Sequence, residues 1–173
     1  DYDQDSDGLI DSVVVLHSGY AAEVGGLECD TGPDAANRIW SHSQGPQSNS
    51  WKSSTHDAGL GGYLMTSAFR CTCGEGIARI GVIAHELLHS LGLPYLYDLD
   101  APMSPNGDGV GGVGSYDIMS NPYGQKGDAV FPGHLSPWSK MQLGWLVPSE
   151  VLYDGIYMAG ASEAVPQVYI LSK

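Results

Sequence analysis

Between Gly76 and Leu91 the apolar positions Ile77, Ile80, Ala84, Leu87, Leu88 and Leu91 recur at steps of three and four. That spacing lines them up as one stripe on a helix, so a helix is predicted over 76–91. Gly92 supplies its stop, and Pro94 prevents its resumption. The branched run Val13-Val14-Val15-Leu16 predicts a buried strand ending near His17, with Ser18-Gly19 as the turn after it. Tyr63–Phe69 reads as a second strand and Arg38–His42 as a short one. A shorter helix is predicted from Ser136 as cap, with Pro137 in its first turn, running to Gly144. Residues 145–173 alternate in a way that suits one or two strands. The stretches 20–36, 43–62 and 95–134 are polar or glycine-rich, which marks them as loops long enough to carry function. The pattern is that of an α+β fold, a single domain over 1–173 with one long central helix.

Composition sharpens this picture. Twenty-four glycines in 173 residues are about twice the ordinary share of ~7%, so tight turns and ordered loops dominate over long helices. The formal charge of −13, with seven basic residues scattered along the chain, disfavours nucleic acid. No apolar run approaches the ~20 residues that span a bilayer. The acidic start at Asp1, with no basic and apolar leader, reads as a segment processed or trimmed from a longer precursor. Cys71 and Cys73 are too close to pair without strain, so Cys29 with one of them is the expected disulfide. Three free thiols or a thiolate metal site are the alternatives. A disulfide points outside the cell.

The chemistry sits in the long helix. His85-Glu86-Leu87-Leu88-His89 places two imidazoles four residues apart, on one helical face, where they can take adjacent positions on one Zn²⁺. Glu86, beside that face, is placed to accept the proton of an attacking water, and zinc would acidify that water and polarise a carbonyl. A catalytic zinc needs a third protein ligand. The turn at Gly92 and Pro94 brings Tyr95 or Asp98 into consideration, with Asp100 and His134 behind them. Asp98 is preferred, because a carboxylate is ionised at neutral pH whereas a phenol keeps its proton to about pH 10. His17, His42 and His56 are isolated and read as polar or packing residues. Tyr95, Tyr97 and Tyr116 are oxyanion-donor candidates, though a tyrosine at such positions is more often structural.

Asp3, Asp5, Asp7 and Gly8 match the first half of a calcium loop. The complete EF-hand needs Glu at the position that Val14 occupies, so the expectation is a calcium site of another geometry. Asp98, Asp100, Asn106, Asp108 and Asp117 could form a second oxygen-rich site.

HELLHSLGLPYLYD at 85–98 resembles the zinc-binding segment of the immune inhibitor A-type metallopeptidases, within the metzincin-like zinc proteases. DSDGLIDSVVVLHSG at 5–19, IWSHS at 39–43, GSYDIMS at 114–120 and HLSPWSKMQLGWL at 134–146 match that family's other landmarks in order. The resemblance implies a secreted zinc endopeptidase made as an inactive precursor. It implies a small mixed sheet over a central zinc-binding helix, with a loop-rich lower subdomain. His85 and His89 carry over as ligands, Glu86 as general base and Met119 as the methionine-turn residue. The third ligand falls nine residues past His89, at Asp98, although the common form has Asp where this chain has Tyr95. Such folds keep an edge strand for extended substrates, a role that falls to Tyr63–Phe69. Protein or peptide substrates and a monomeric state are expected. The rival readings are a calcium-stabilised extracellular binding module with a structural helix, and a deformylase-like zinc amidase using Cys71 or Cys73.

Overall fold

The computed structural model describes residues 2–45, 51–74, 76–98, 112–161 and 164–171. Asp100, Asn106 and Asp108 lie outside the described residues. The chain divides into two compact units, Asp1–Ser90 and Leu91–Lys173. Small sheets and two α-helices are interspersed along it.

The first unit contains β1 (Leu9–Ile10), β2 (Val13–Tyr20), β3 (His42–Gln44), β4 (Gly59–Leu60), β5 (Tyr63–Phe69) and α1 (Ile80–Ser90). β1 and β4 pair in parallel, while β2, β5 and β3 form a mixed sheet in that order. β5 is its central strand, parallel to β2 and antiparallel to β3. The expected edge role of Tyr63–Phe69 is therefore wrong. The edges belong to β2 and β3, because β5 uses both its sides for pairing.

β2 also departs from expectation. It runs on to Tyr20, and the Ser18-Gly19 turn signal is a bulge between His17 and Tyr20. Glycine suits such an irregularity, and the Ser67 hydroxyl donates to the Gly19 carbonyl there. The strand is half-buried rather than buried, with Val14 and Leu16 exposed, since it is an edge strand with one covered face.

α1 starts at Ile80, later than its apolar period suggests. Residues before it are extended: Arg70 N–H donates to the Gly76 carbonyl, Ala78 N–H to Ala68, and Ile77 bridges to Phe69. Those backbone groups pair with the end of β5, which leaves none for a helical turn. The apolar stripe is not the packed face either. Ile80, Leu87 and Leu91 are exposed, whereas Gly81, His85 and Glu86 are buried. α1 lies against β5 and β3, and the Ser90 hydroxyl at its end sits 3.4 Å from those of Ser12 and Ser43.

The second unit contains α2 (Pro137–Gln142), β6 (Ser149–Val151) and β7 (Tyr169–Leu171), the last two paired in parallel. The predicted start of α2 is observed: the Ser136 side chain accepts from Ser139 N–H, and Pro137 follows. Leu93, Ile118, Met119, Ala129, Leu135 and Leu146 are buried in this unit. Its loops hold through backbone bonds. Leu96 N–H donates to the Met119 carbonyl at 3.0 Å, and Val113 N–H donates to the Leu96 carbonyl at 3.1 Å. Gly112 lets that second strand of loop approach, because a Cβ there would overlap the Leu96 carbonyl and φ is +67°.

Candidate metal centre

α1 brings His85 and His89 together as the four-residue spacing requires. Their Nε2 atoms are 3.2 Å apart and their rings cross at 89°. Two nitrogens on a tetrahedral zinc, each at about 2.1 Å, lie about 3.4 Å apart, so the pair fits one ion. His85 is 4% exposed and His89 half-buried.

Glu86 is buried on the same helix, and its Oε2 has no hydrogen-bond partner among the described residues. Burial, and then the negative charge of Glu23, push its carboxyl from 4.5 up to about 7. Glu23 is held by Ser41, whose N–H and hydroxyl both donate to its carboxylate, and the Ser41 hydroxyl also reaches Thr66 of β5 at 3.1 Å. Sequence reasoning missed Glu23. It lies in a loop with no spacing that ties it to the helix, so only the folded chain relates the two acids.

In the second unit Asp98 is exposed and Tyr95 is 41% exposed, its ring 4.8 Å from that of Tyr97. Met119 is fully buried. Asp117 is fully buried too, and it is no free oxygen ligand. Its Oδ1 accepts from Met119 N–H, and its Oδ2 accepts from Ser136 N–H and the Ser139 hydroxyl. His134 keeps Nδ1 3.4 Å from the Leu135 carbonyl oxygen.

The aspartates near the N-terminus converge in a different set from the one expected. Asp3, Asp5 and Asp11 bring carboxylate oxygens within 4.8 Å of one another. Asp7 turns away, accepting instead from Leu9 N–H, because its side chain closes a local turn. His42 bridges the Trp40 carbonyl and the Tyr63 hydroxyl, His17 accepts from Gly19 N–H, and His56 meets Thr55. His42 and His56 are engaged by neighbours in the chain, whereas His17 uses only Nδ1 and its buried Nε2 has no hydrogen-bond partner among the described residues. Cys29 pairs with Cys73, and Cys71 is a free, exposed thiol. The pairing removes Cys73 from any thiolate ligand set.

The sequence profile of the immune inhibitor A peptidase M6 catalytic domain matches residues 1–146, most of the chain. The chain belongs to that family. Immune inhibitor A of Bacillus thuringiensis subsp. alesti is 38% identical to it over 96 residues, covering 54% of this chain and 13% of that protein. The chain thus spans about 13% of the length of the curated relative it matches. Membership of the M6 family makes this a metalloendopeptidase catalytic domain and implies zinc as its metal. No helix among the described residues is long and apolar enough to cross a membrane.

The raised Glu86 carboxyl gives the metal-free M6 domain a pH signature. Between pH 4.5 and about 7 the folded chain keeps a proton that the unfolded chain has lost. Stability from this group is therefore fullest below 4.5 and falls as pH rises through 7. The loss is at most on the order of 3–4 kcal/mol, at about 1.36 kcal/mol per pH unit. Urea unfolding in EDTA at pH 5 and pH 8 measures it, and Glu86→Gln flattens that part of the slope. An unchanged slope in Glu86→Gln would refute the burial argument.

Proposed function

We propose that this chain is the catalytic part of a secreted zinc endopeptidase that hydrolyses internal peptide bonds, with Glu86 as general base. The observation that carries the reading is the 3.2 Å approach of the His85 and His89 Nε2 atoms beside the buried, unpartnered Oε2 of Glu86. His85 and His89 hold the zinc, and Asp98 is its third ligand, with Tyr95 the alternative. Asp98 lies in the other unit, and its assignment rests on spacing and on a carboxylate being ionised at neutral pH. Zinc, when bound, acidifies water and polarises the scissile carbonyl. Glu86 Oε2 accepts the proton of the attacking water and passes it to the leaving amine.

The metzincin-like layout is part of this reading. The sheet and α1 belong to the first unit, and the loop-rich segment with Met119 belongs to the second. An extended peptide finds a free strand edge on β3, because β5 is paired on both sides. The Cys29–Cys73 disulfide supports an extracellular location. Calcium is proposed at Asp3, Asp5 and Asp11, whose mutual repulsion a divalent cation would relieve.

Metal analysis of the purified domain tests the reading. About one zinc per chain is expected, removable by a chelator together with casein digestion, and calcium is expected to raise the melting temperature further. Asp98→Ala loses zinc and Tyr95→Phe keeps it. Loss of zinc in the Tyr95 variant alone would move the third ligand to the phenol. A folded domain that takes up no zinc would sink the enzyme reading and leave the calcium-stabilised binding module.

A further inference from the structure

Asp117 is a buried carboxylate whose hydrogen bonds join two pieces of the second unit, its own turn and the start of α2. Its Oδ1 accepts from Met119 N–H at 2.7 Å. Its Oδ2 accepts from Ser136 N–H at 2.8 Å and from the Ser139 hydroxyl at 2.6 Å, both at the start of α2. Its own carbonyl takes the N–H groups of Ser120 and Asn121. A carboxylate that accepts from three donors at 2.6–2.8 Å is a strong anchor.

What the anchor holds is the backbone of Met119. The Met119 carbonyl accepts from Leu96 N–H, and the Leu96 carbonyl accepts from Val113 N–H. Leu96 is thus clamped on both sides, two residues before Asp98. Gly112 closes against the same carbonyl, leaving no room for the segment to shift toward it.

We infer that Asp117 is a positioning residue for the proposed ligand Asp98, acting through the relay Asp117–Met119–Leu96. This rests on the proposal that Asp98 ligates zinc. The carboxylate ties the methionine turn to α2, and the turn's carbonyl then sets where the 96–98 segment lies. An amide in its place cannot serve all three donors, because its NH₂ must face one of them.

The test is zinc affinity by chelator competition, on variants shown to be folded by circular dichroism. Asp117→Asn is expected to weaken zinc binding at least about tenfold, the usual cost of disturbing a group that orients a ligand. In an Asp98→Ala background the same substitution should cost nothing further, because the ligand it positions is gone. A purely structural role would lower the melting temperature and leave the zinc affinity of the folded protein unchanged. Where Asp117→Asn does not fold, Ser139→Ala removes one donor only and is expected to weaken zinc a few-fold, again not in the Asp98→Ala background. Parent-like affinity in folded Asp117→Asn, or in Ser139→Ala where that variant stands in, overturns the inference while Asp98→Ala still loses zinc. So does a loss that persists in full in the Asp98→Ala background. Unchanged affinity in Asp98→Ala itself overturns the ligand assignment and this inference with it.

Discussion

Glu86→Ala is expected to lower casein digestion by about a hundred- to ten-thousand-fold while the protein keeps its zinc. The substitution removes the proposed proton acceptor and leaves His85 and His89 in place on α1. It also removes a carboxyl that is buried without a partner at Oε2, so the variant is expected to fold at neutral pH. Zinc content and peptide hydrolysis, measured on the same sample, separate the two roles. Zinc loss in this variant would make Glu86 part of the metal's support, and unchanged digestion would end its assignment as base. Glu86→Asp is the informative companion, because it keeps the carboxyl but shortens its reach by one methylene.

Loss of the Cys29–Cys73 disulfide is expected to cost about 4 kcal/mol, from the entropy returned to an unfolded chain no longer closed over 44 residues. Its location ties down the loop between β5 and α1. Cys29 N–H donates to the Thr72 carbonyl, and the Tyr20 hydroxyl donates to the Gly74 carbonyl. Together these fasten the loop that joins β5 to the extended lead into α1. Urea unfolding of Cys29→Ser against the parent reads the effect. Cys71→Ser, at the exposed free thiol, is expected to stay within about 0.5 kcal/mol. Equal stability of Cys29→Ser and the parent would show that the hydrogen bonds alone secure the loop.

The close approach of two imidazoles was legible in the linear chain because it depends only on helical geometry. A separation of four residues places His85 and His89 on one face wherever the helix packs. The cap and first turn of α2 were legible for the same kind of reason: Ser136 and Pro137 act on the backbone within a few residues. Cysteine spacing excluded the Cys71–Cys73 pair, yet left two partners for Cys29. The choice of Cys73 came with the folded loop, where Cys29 lies against Thr72, between the two.

Errors fell where a local signal has two long-range outcomes. The helical period from Gly76 to Leu91 located a helix but not its buried face. Burial depends on what packs against the helix, and it is Gly81, His85 and Glu86 that are buried. Tyr63–Phe69 was recognisable as a strand, but centre and edge look alike until pairing partners are known. The acidic repeat near the N-terminus was visible, but Asp11 rather than Asp7 completes the converging set, because Asp7 closes a turn.

Chemistry that needs only neighbours along one helix was therefore written in the order of residues: two imidazoles, an adjacent acid, and a glycine stop at +91°. The environment that tunes that chemistry was not. Burial first, and then Glu23 from 63 positions earlier in the chain, raise the Glu86 carboxyl. Asp117 reaches Ser139, 22 residues away, to secure the methionine turn. Electrostatics and buried hydrogen bonds act through space, and closeness in space between distant residues exists only once the chain has folded.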